Sequence, residues 1–212
     1  MKRQSVTGMM ILTALLGAFV TGCATNGAPK TACVSEPEFL TPELKKQNLL
    51  CNPSFEDADS YAWTLHSHIG NTQAGRIVPY AKARDGKRVA FFDTGTNHWD
   101  LVTFMQTVRV KPKTKYLFSG WAKFEDVALG EDGQHGPIGV NLGIQGTWDR
   151  SPALLLGSKD WTYISHIIES GDRTTLDVAA KLGHWCNGCF GRAWFDDLCL
   201  IELPLLPDEC KP

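Results

Sequence analysis

Residues 191–203 read Gly-Arg-Ala-Trp-Phe-Asp-Asp-Leu-Cys-Leu-Ile-Glu-Leu. An aromatic pair, two adjacent carboxylates and an apolar run to Leu203 make this the last strand-like segment. A proline-containing tail, residues 204–212, follows it. Taken alone, the Asp196-Asp197 pair suits a solvated strand entry, a metal site or half of a catalytic site. Its counterpart is the stretch at residues 48–56, Asn-Leu-Leu-Cys-Asn-Pro-Ser-Phe-Glu. One domain, residues 47–203, runs between the two.

Within that domain the apolar residues recur with period two, and no long segment shows 3.6-residue spacing. Val102, Phe104, Val108 and Val110 share one face of 101–110. Tyr116, Phe118, Gly120, Ala122 and Phe124 repeat the pattern, opposite Ser119, Trp121 and Lys123. Ile138, Val140, Leu142 and Ile144 line one face of 138–145, which leaves Asn141, Gly143 and Gln145 outward. Leu176, Val178, Ala180 and Leu182 alternate with Asp177, Ala179 and Lys181. Further strands are expected near 48–51, 61–68, 87–93, 160–168 and 191–203, about nine in all. Turn signals separate them at Gly70-Asn71, Asp85-Gly86, 130–136 and Gly171-Asp172. Many short strands with one buried face predict an all-β fold, an antiparallel β-sandwich.

The chain of 212 residues adds terminal segments to this domain. Residues 1–22 read as a targeting segment: Lys2 and Arg3 lead a short apolar core that ends in Val-Thr-Gly before Cys23. That ending resembles the lipobox of bacterial lipoproteins, which implies cleavage before Cys23 and lipid on its thiol; a simple secretory peptide ending near Ala24 is the alternative. Residues 23–46, with Gly27, Pro29, Pro37 and Pro42, read as a tether in which Pro42 can open one helical turn. Without residues 1–22 there remain 19 Lys+Arg against 23 Asp+Glu, a net of −4. A mildly acidic chain with no basic tract has no electrostatic footprint for nucleic acid. Six cysteines remain besides Cys23, and an even count in an exported protein points to disulfides.

The order of motifs resembles the carbohydrate-binding modules of families 4, 9 and 22. Residues 48–56 match their opening. Residues 108–123 with Tyr-Leu-Phe-Ser-Gly-Trp-Ala-Lys, then Asp160-Trp161-Thr162, then 191–200 with Trp-Phe-Asp-Asp-Leu, match in the same order. The resemblance covers roughly 47–203 and implies a jelly roll. It also implies a structural calcium where first and last strands meet, since calcium takes carboxylates and carbonyls as ligands. The matching ligands are the carboxylates of Glu56 and Asp197 (or Asp196, one register away) with the carbonyls of Ser54 and the Gly86-Lys87 turn. Adjacent first and last strands would pair Cys51 with Cys199, leave Cys33 and Cys210 for a second clasp, and leave Cys186 and Cys189 as a local loop. Cys186-Asn-Gly-Cys189 also has redox or zinc spacing, but only His184 is near it as a further ligand.

Sugars are bound by aromatic faces and planar polar groups, so exposed tryptophans matter most. Trp99, in the polar stretch 96–100, is the leading candidate. Trp121, Asn141, Gln145 and Trp185 are expected to line one outer face if their strands share a sheet, with Trp148 in a nearby loop. Trp161 and Trp194 sit inside the fold motifs and read as structural. No hydrolase or phosphate-loop motif is present. Asp93, Asp100, Glu125 and Asp177 are the carboxylates from which a glycosidase pair would have to come. The expected function is non-catalytic polysaccharide binding by a lipid-anchored module of the cell envelope, at a bacterial and specifically outer membrane. The alternatives are an envelope protein that binds protein partners, or a small glycan-active enzyme.

Overall fold

The computed structural model describes residues 35–59, 61–130, 138–151, 155–184 and 188–203. They form a β-sandwich of two antiparallel sheets. The strands are β1 (Thr64–Ser67), β2 (Gly75–Pro79), β3 (Arg88–Asp100), β4 (Val102–Arg109), β5 (Lys115–Leu129), β6 (Val140–Ile144), β7 (Gly157–Glu169), β8 (Thr175–Leu182) and β9 (Cys189–Glu202). One sheet has the order β1-β4-β8-β6 and the other β2-β3-β9-β5-β7.

The alternation that predicts the strands also builds the core. Phe104 and Val108 on β4 and Val178, Ala180 and Leu182 on β8 face Phe118, Ala122 and Phe124 on β5 and Phe195 on β9 across the sandwich. Three segments differ from expectation. Residues 48–50 run beside β9 without becoming a strand: the Leu49 amide donates to the Leu200 carbonyl, and Asn48 side-chain atoms bond the backbone at Leu198 and Leu200. β2 was not expected, because Gly75 and Pro79 bound an edge strand too short for alternation to show. The 96–100 stretch, read as loop, continues β3 through two register shifts around Gly95, which adopts φ +69°.

A second apolar cluster lies on the outer face of the five-stranded sheet. Leu40, 6% exposed, sits with Phe39 and Leu44 against Leu117, Trp121, Tyr163, Cys199 and Ile201. Residues 36–46, the end of the segment read from sequence as tether, therefore pack on the domain. Their single turn α1 (Pro42–Lys45) starts at Thr41, whose hydroxyl accepts the Leu44 amide at 3.3 Å. The Lys45 ammonium then joins Glu36 at 2.5 Å and Asp197 at 2.8 Å.

The Cys51–Cys199 pairing is corrected by the structure: Cys51, Cys189 and Cys199 are free thiols. The backbones of 48–50 and β9 are adjacent, as supposed, but the side chains part. Cys51 sits where its amide and carbonyl bond the Gln106 side chain, whereas Cys199 faces the Leu40 cluster. Burial pushes the Cys189 and Cys199 thiols up to about 12, so both stay protonated. Cys23, Cys33, Cys186 and Cys210 lie outside the described residues.

Candidate functional site

One register line crosses the four-stranded sheet from His66 through Thr103 and Lys181 to Asn141. Their neighbours Leu65, Phe104, Ala180 and Leu142 belong to the core side, so alternation places this polar line on the outer face. His66 is exposed, yet Thr103, Lys181 and Asn141 are only 0%, 3% and 0% exposed. The turn after β6 returns along that strand, with Arg150 bridged to Gly143. Its Asp149 carbonyl accepts the Ile144 amide, and a Cβ on Gly143 would press on that carbonyl at 2.5 Å. Trp148, 48% exposed, lays its ring 5.3 Å from that of His184.

This covered region holds several polar atoms without hydrogen-bond partners among the described residues. They are the Thr103 hydroxyl, Asn141 Oδ1, Arg150 Nε and both ring nitrogens of His184. The Thr147 backbone approaches the His184 ring without reaching hydrogen-bond geometry. Asn141 Nδ2 donates to the Gly139 and Gly183 carbonyls, both at 3.0 Å, and Lys181 Nζ donates to the Ile144 carbonyl at 3.0 Å. Burial pulls the Lys181 ammonium down to about 8, which still leaves it charged at neutral pH. Burial first, then the positive charges of Lys181 and Arg150, hold His184 down near 4, so its ring is neutral. Asn141 thus lies on the predicted outer face but is buried rather than outward, its side-chain amide held by the Gly139 and Gly183 carbonyls.

Trp99 reaches the same end of the sheet. Ser67, Val102, Leu182 and Val140 are level in register, so His68, Trp99 and His184 all lie beyond them. The Trp99 ring stacks on His68 at 6.1 Å and 14°, and it rests on Gly130 and Gly188, where any Cβ would run into it. Beside it Asp100 is 1% exposed and accepts from the Ser67 hydroxyl and the amides of His68 and Ile69, which fixes the exit of β1. Gln145 is half-buried at the far end of β6, where its amide donates to the Asp177 carbonyl.

Trp121 does not join this group, because β5 and β6 belong to different sheets. It lies on the opposite outer face, edge-on to Tyr163 and under the Arg84 guanidinium at 3.9 Å. The loop after β2 straps this face: Trp161 Nε1 donates to the Lys82 carbonyl, and Tyr80 stacks on Trp194 at 6.0 Å. Asp93 and Glu125 flank Arg192 there, with Glu125 ion-paired to it at 3.0 Å, while Asp177 on the other sheet accepts from Thr107. Asp93 and Glu125 meet across an arginine, and neither meets Asp100 or Asp177. Trp185 lies outside the described residues.

The groups expected to hold calcium gather where residues 52–57 meet β9. Glu56 Oε1 accepts the amides of Lys87 and Arg88, both at 2.8 Å, with Gly86 left-handed at φ +65° against the carboxylate. The Ser54 hydroxyl donates to Asp85, and Asp196 accepts the amides of Arg84, Asp85 and Asp197. Asp197 carries the Lys45 ammonium. The donors are hard oxygens, as calcium requires, but N–H groups and Lys45 occupy them. No three His, Cys, Asp or Glu side chains among the described residues close on a common point.

Comparison with known proteins gives three findings. A family model described as carbohydrate binding domain matches residues 47–186. No match is found among curated proteins. Among solved structures, TmCBM61 in complex with beta-1,4-galactotriose is 18% identical, with 74% of this chain and 99% of that chain covered and a TM-score of 0.51. The arabinose-bound α-L-arabinofuranosidase MgGH51 is 12% identical, covering 77% of this chain but 28% of that one, also with a TM-score of 0.51. The CBM22-1 xylan-binding domain from Paenibacillus barcinonensis is 13% identical over 72% of this chain and 93% of that one, with a TM-score of 0.48. At these identities the likeness is one of fold.

Proposed function

Because this chain belongs to the carbohydrate-binding domain family, we propose that it binds a glycan without chemistry, on the outer face of its four-stranded sheet. The observation that carries this reading is the pair of tryptophans at one end of that sheet, Trp99 stacked on His68 and the exposed Trp148 beside His184. Trp99 and Trp148 rim the same end of that sheet and supply the apolar faces that sugar rings need.

Affinity electrophoresis of the protein in mild detergent, through gels containing soluble polysaccharides, tests the reading. At least one polymer should retard it, and Trp99→Ala should weaken retention about tenfold, roughly 1.4 kcal/mol. Retention that ignores both Trp99→Ala and Trp148→Ala would move the site off this face.

The sequence around Cys23 supports a lipid anchor at a bacterial envelope, by its resemblance to a lipobox. Partition into a detergent phase that survives Cys23→Ser would remove the anchor. The resemblance of residues 48–56 and 191–200 to carbohydrate-binding modules supports a structural calcium at Glu56, Asp197, Ser54 and the Lys87 turn, which would have to displace Lys45 from Asp197. Calcium is then expected to raise the melting temperature, and to do so more strongly in Lys45→Ala. Equal melts in calcium and in chelator, in both proteins, would leave the lysine as the only cation there.

A further inference from the structure

We propose that the basic strap across the outer face of the five-stranded sheet docks on anionic headgroups of the bilayer that holds the lipid of Cys23. This face then lies against the membrane. The proposal rests on the lipid-anchor reading and adds an orientation to it.

Residues 76–88 read Arg-Ile-Val-Pro-Tyr-Ala-Lys-Ala-Arg-Asp-Gly-Lys-Arg, five cations with one carboxylate in an acidic chain. Arg76, Lys82, Arg84 and Lys87 are exposed and Arg88 is half-buried. Pairing of Pro79 with Arg88 closes the segment into a hairpin, which keeps the five together. The surrounding carboxylates face its backbone or its neighbours. Glu56 accepts the Lys87 and Arg88 amides, Asp196 the Arg84 and Asp85 amides, and Asp85 the Ser54 hydroxyl. Two of the cations lie over rings, Arg76 at 4.9 Å from Phe91 and Arg84 at 3.9 Å from Trp121. No carboxylate among the described residues pairs with any of the five.

Arg109 and Arg173 lack carboxylate partners too, but they stand among acid. Along the other basic run, Glu202, Asp172 and Glu169 pair with Lys111, Lys113 and Lys115. Arg173 lies on the Ser170 and Glu169 carbonyls. Only the strap groups exposed cations without interleaved carboxylates.

Where the tether enters decides the partner. Leu40 packs in the cluster that includes Trp121, and Trp121 carries Arg84. The chain leading back to Cys23 therefore leaves the domain beside the strap. A lipid on Cys23 confines that corner near the bilayer, so the strap meets headgroups at high effective concentration. Anionic headgroups attract lysine and arginine within a Debye length, roughly fivefold in partition for each one held at the surface. Tyr80 and Trp161, half-buried beside the strap, have the amphipathic rings that suit headgroup depth.

The test places the lipid-bearing protein on vesicles of phosphatidylcholine alone or of equal parts phosphatidylcholine and phosphatidylglycerol. Lysines are then acylated with a water-soluble reagent and read by mass spectrometry. Labelling of Lys82 and Lys87, relative to Lys113 in the turn between β4 and β5, should fall by about fivefold or more when phosphatidylglycerol is present. Raised salt should restore it. Lys82→Gln combined with Arg84→Gln should return Lys87 to its level on phosphatidylcholine, whereas Lys111→Gln combined with Lys115→Gln should not.

Equal labelling on both vesicles, with the protein floating on both, would overturn the docking and keep the anchor. Protection of Lys87 that survives the Lys82 and Arg84 changes would overturn it too, as would equal protection by soluble polygalacturonate without vesicles. Flotation with protection on the anionic vesicles alone would keep the docking and remove the anchor. Flotation on neither would overturn both.

Discussion

Phe55→Ala is expected to lower the unfolding free energy by about 4 kcal/mol, the largest effect of any single change considered. The ring is fully buried, 5.3 Å from Trp63 and 6.5 Å from Phe104. Removing it leaves a void between the opening segment and the sandwich, and it deletes two aromatic contacts of about 1 kcal/mol each at most. Phe55 also adopts φ +57°, a left-handed conformation costly for any residue with a Cβ. Alanine keeps the Cβ, so that strain is the same in both proteins and the loss reports packing alone. The neighbouring link from the Leu198 amide to the Pro53 carbonyl ties the same segment to β9. Urea midpoints measure the difference; a loss under about 1 kcal/mol would show that residues 52–57 are not packed in solution.

The second large effect appears on acidification. His184 has a folded value near 4 against an ordinary 6.5. Between those two values the unfolded chain takes up a proton that the folded protein refuses. Its contribution is therefore fully present above about pH 6.5 and is lost as the pH falls toward 4. The whole shift corresponds to about 3 kcal/mol, and roughly 2 kcal/mol is expected after solvent screening. Asp196 acts with the opposite sign. Burial raises it to about 6 from 3.8, so the folded state takes its proton first and gains stability as the pH falls through that window. The two arms nearly offset in the wild type. His184→Gln removes one arm, so the variant should gain about 2 kcal/mol relative to wild type between pH 6.5 and pH 4. A pH-independent difference between the two would mean that the imidazole protonates freely in the folded protein.

Period-two alternation was enough to read most of the sandwich. Phe104, Val178 and Phe118 face the core as their spacing requires, because a strand has only two faces and one must be buried. What alternation does not carry is which strands share a sheet. Trp121 and Asn141 are both on outer faces, but long-range pairing puts those faces on opposite sides of the molecule. Burial on an outer face is equally hidden. Lys181 reads as a solvent-facing lysine in its own strand, yet it is 3% exposed and its ammonium turns to the Ile144 carbonyl of the neighbouring β6. The burial of Thr103 and His184 is hidden from the sequence in the same way. Cys51 and Cys199 show the third limit: neighbouring backbones say nothing of the direction in which two side chains point.

The packing of residues 36–46 on the back of the five-stranded sheet bears on where the protein works. Twelve residue steps separate Ser35, where the described chain begins, from Cys23. Fully extended they reach about 40 Å. With lipid on Cys23, as proposed, the attachment enters at the rear of the domain, away from the four-stranded sheet. The four-stranded sheet would then lie at most a few nanometres above the bilayer and on the side of the domain away from the attachment.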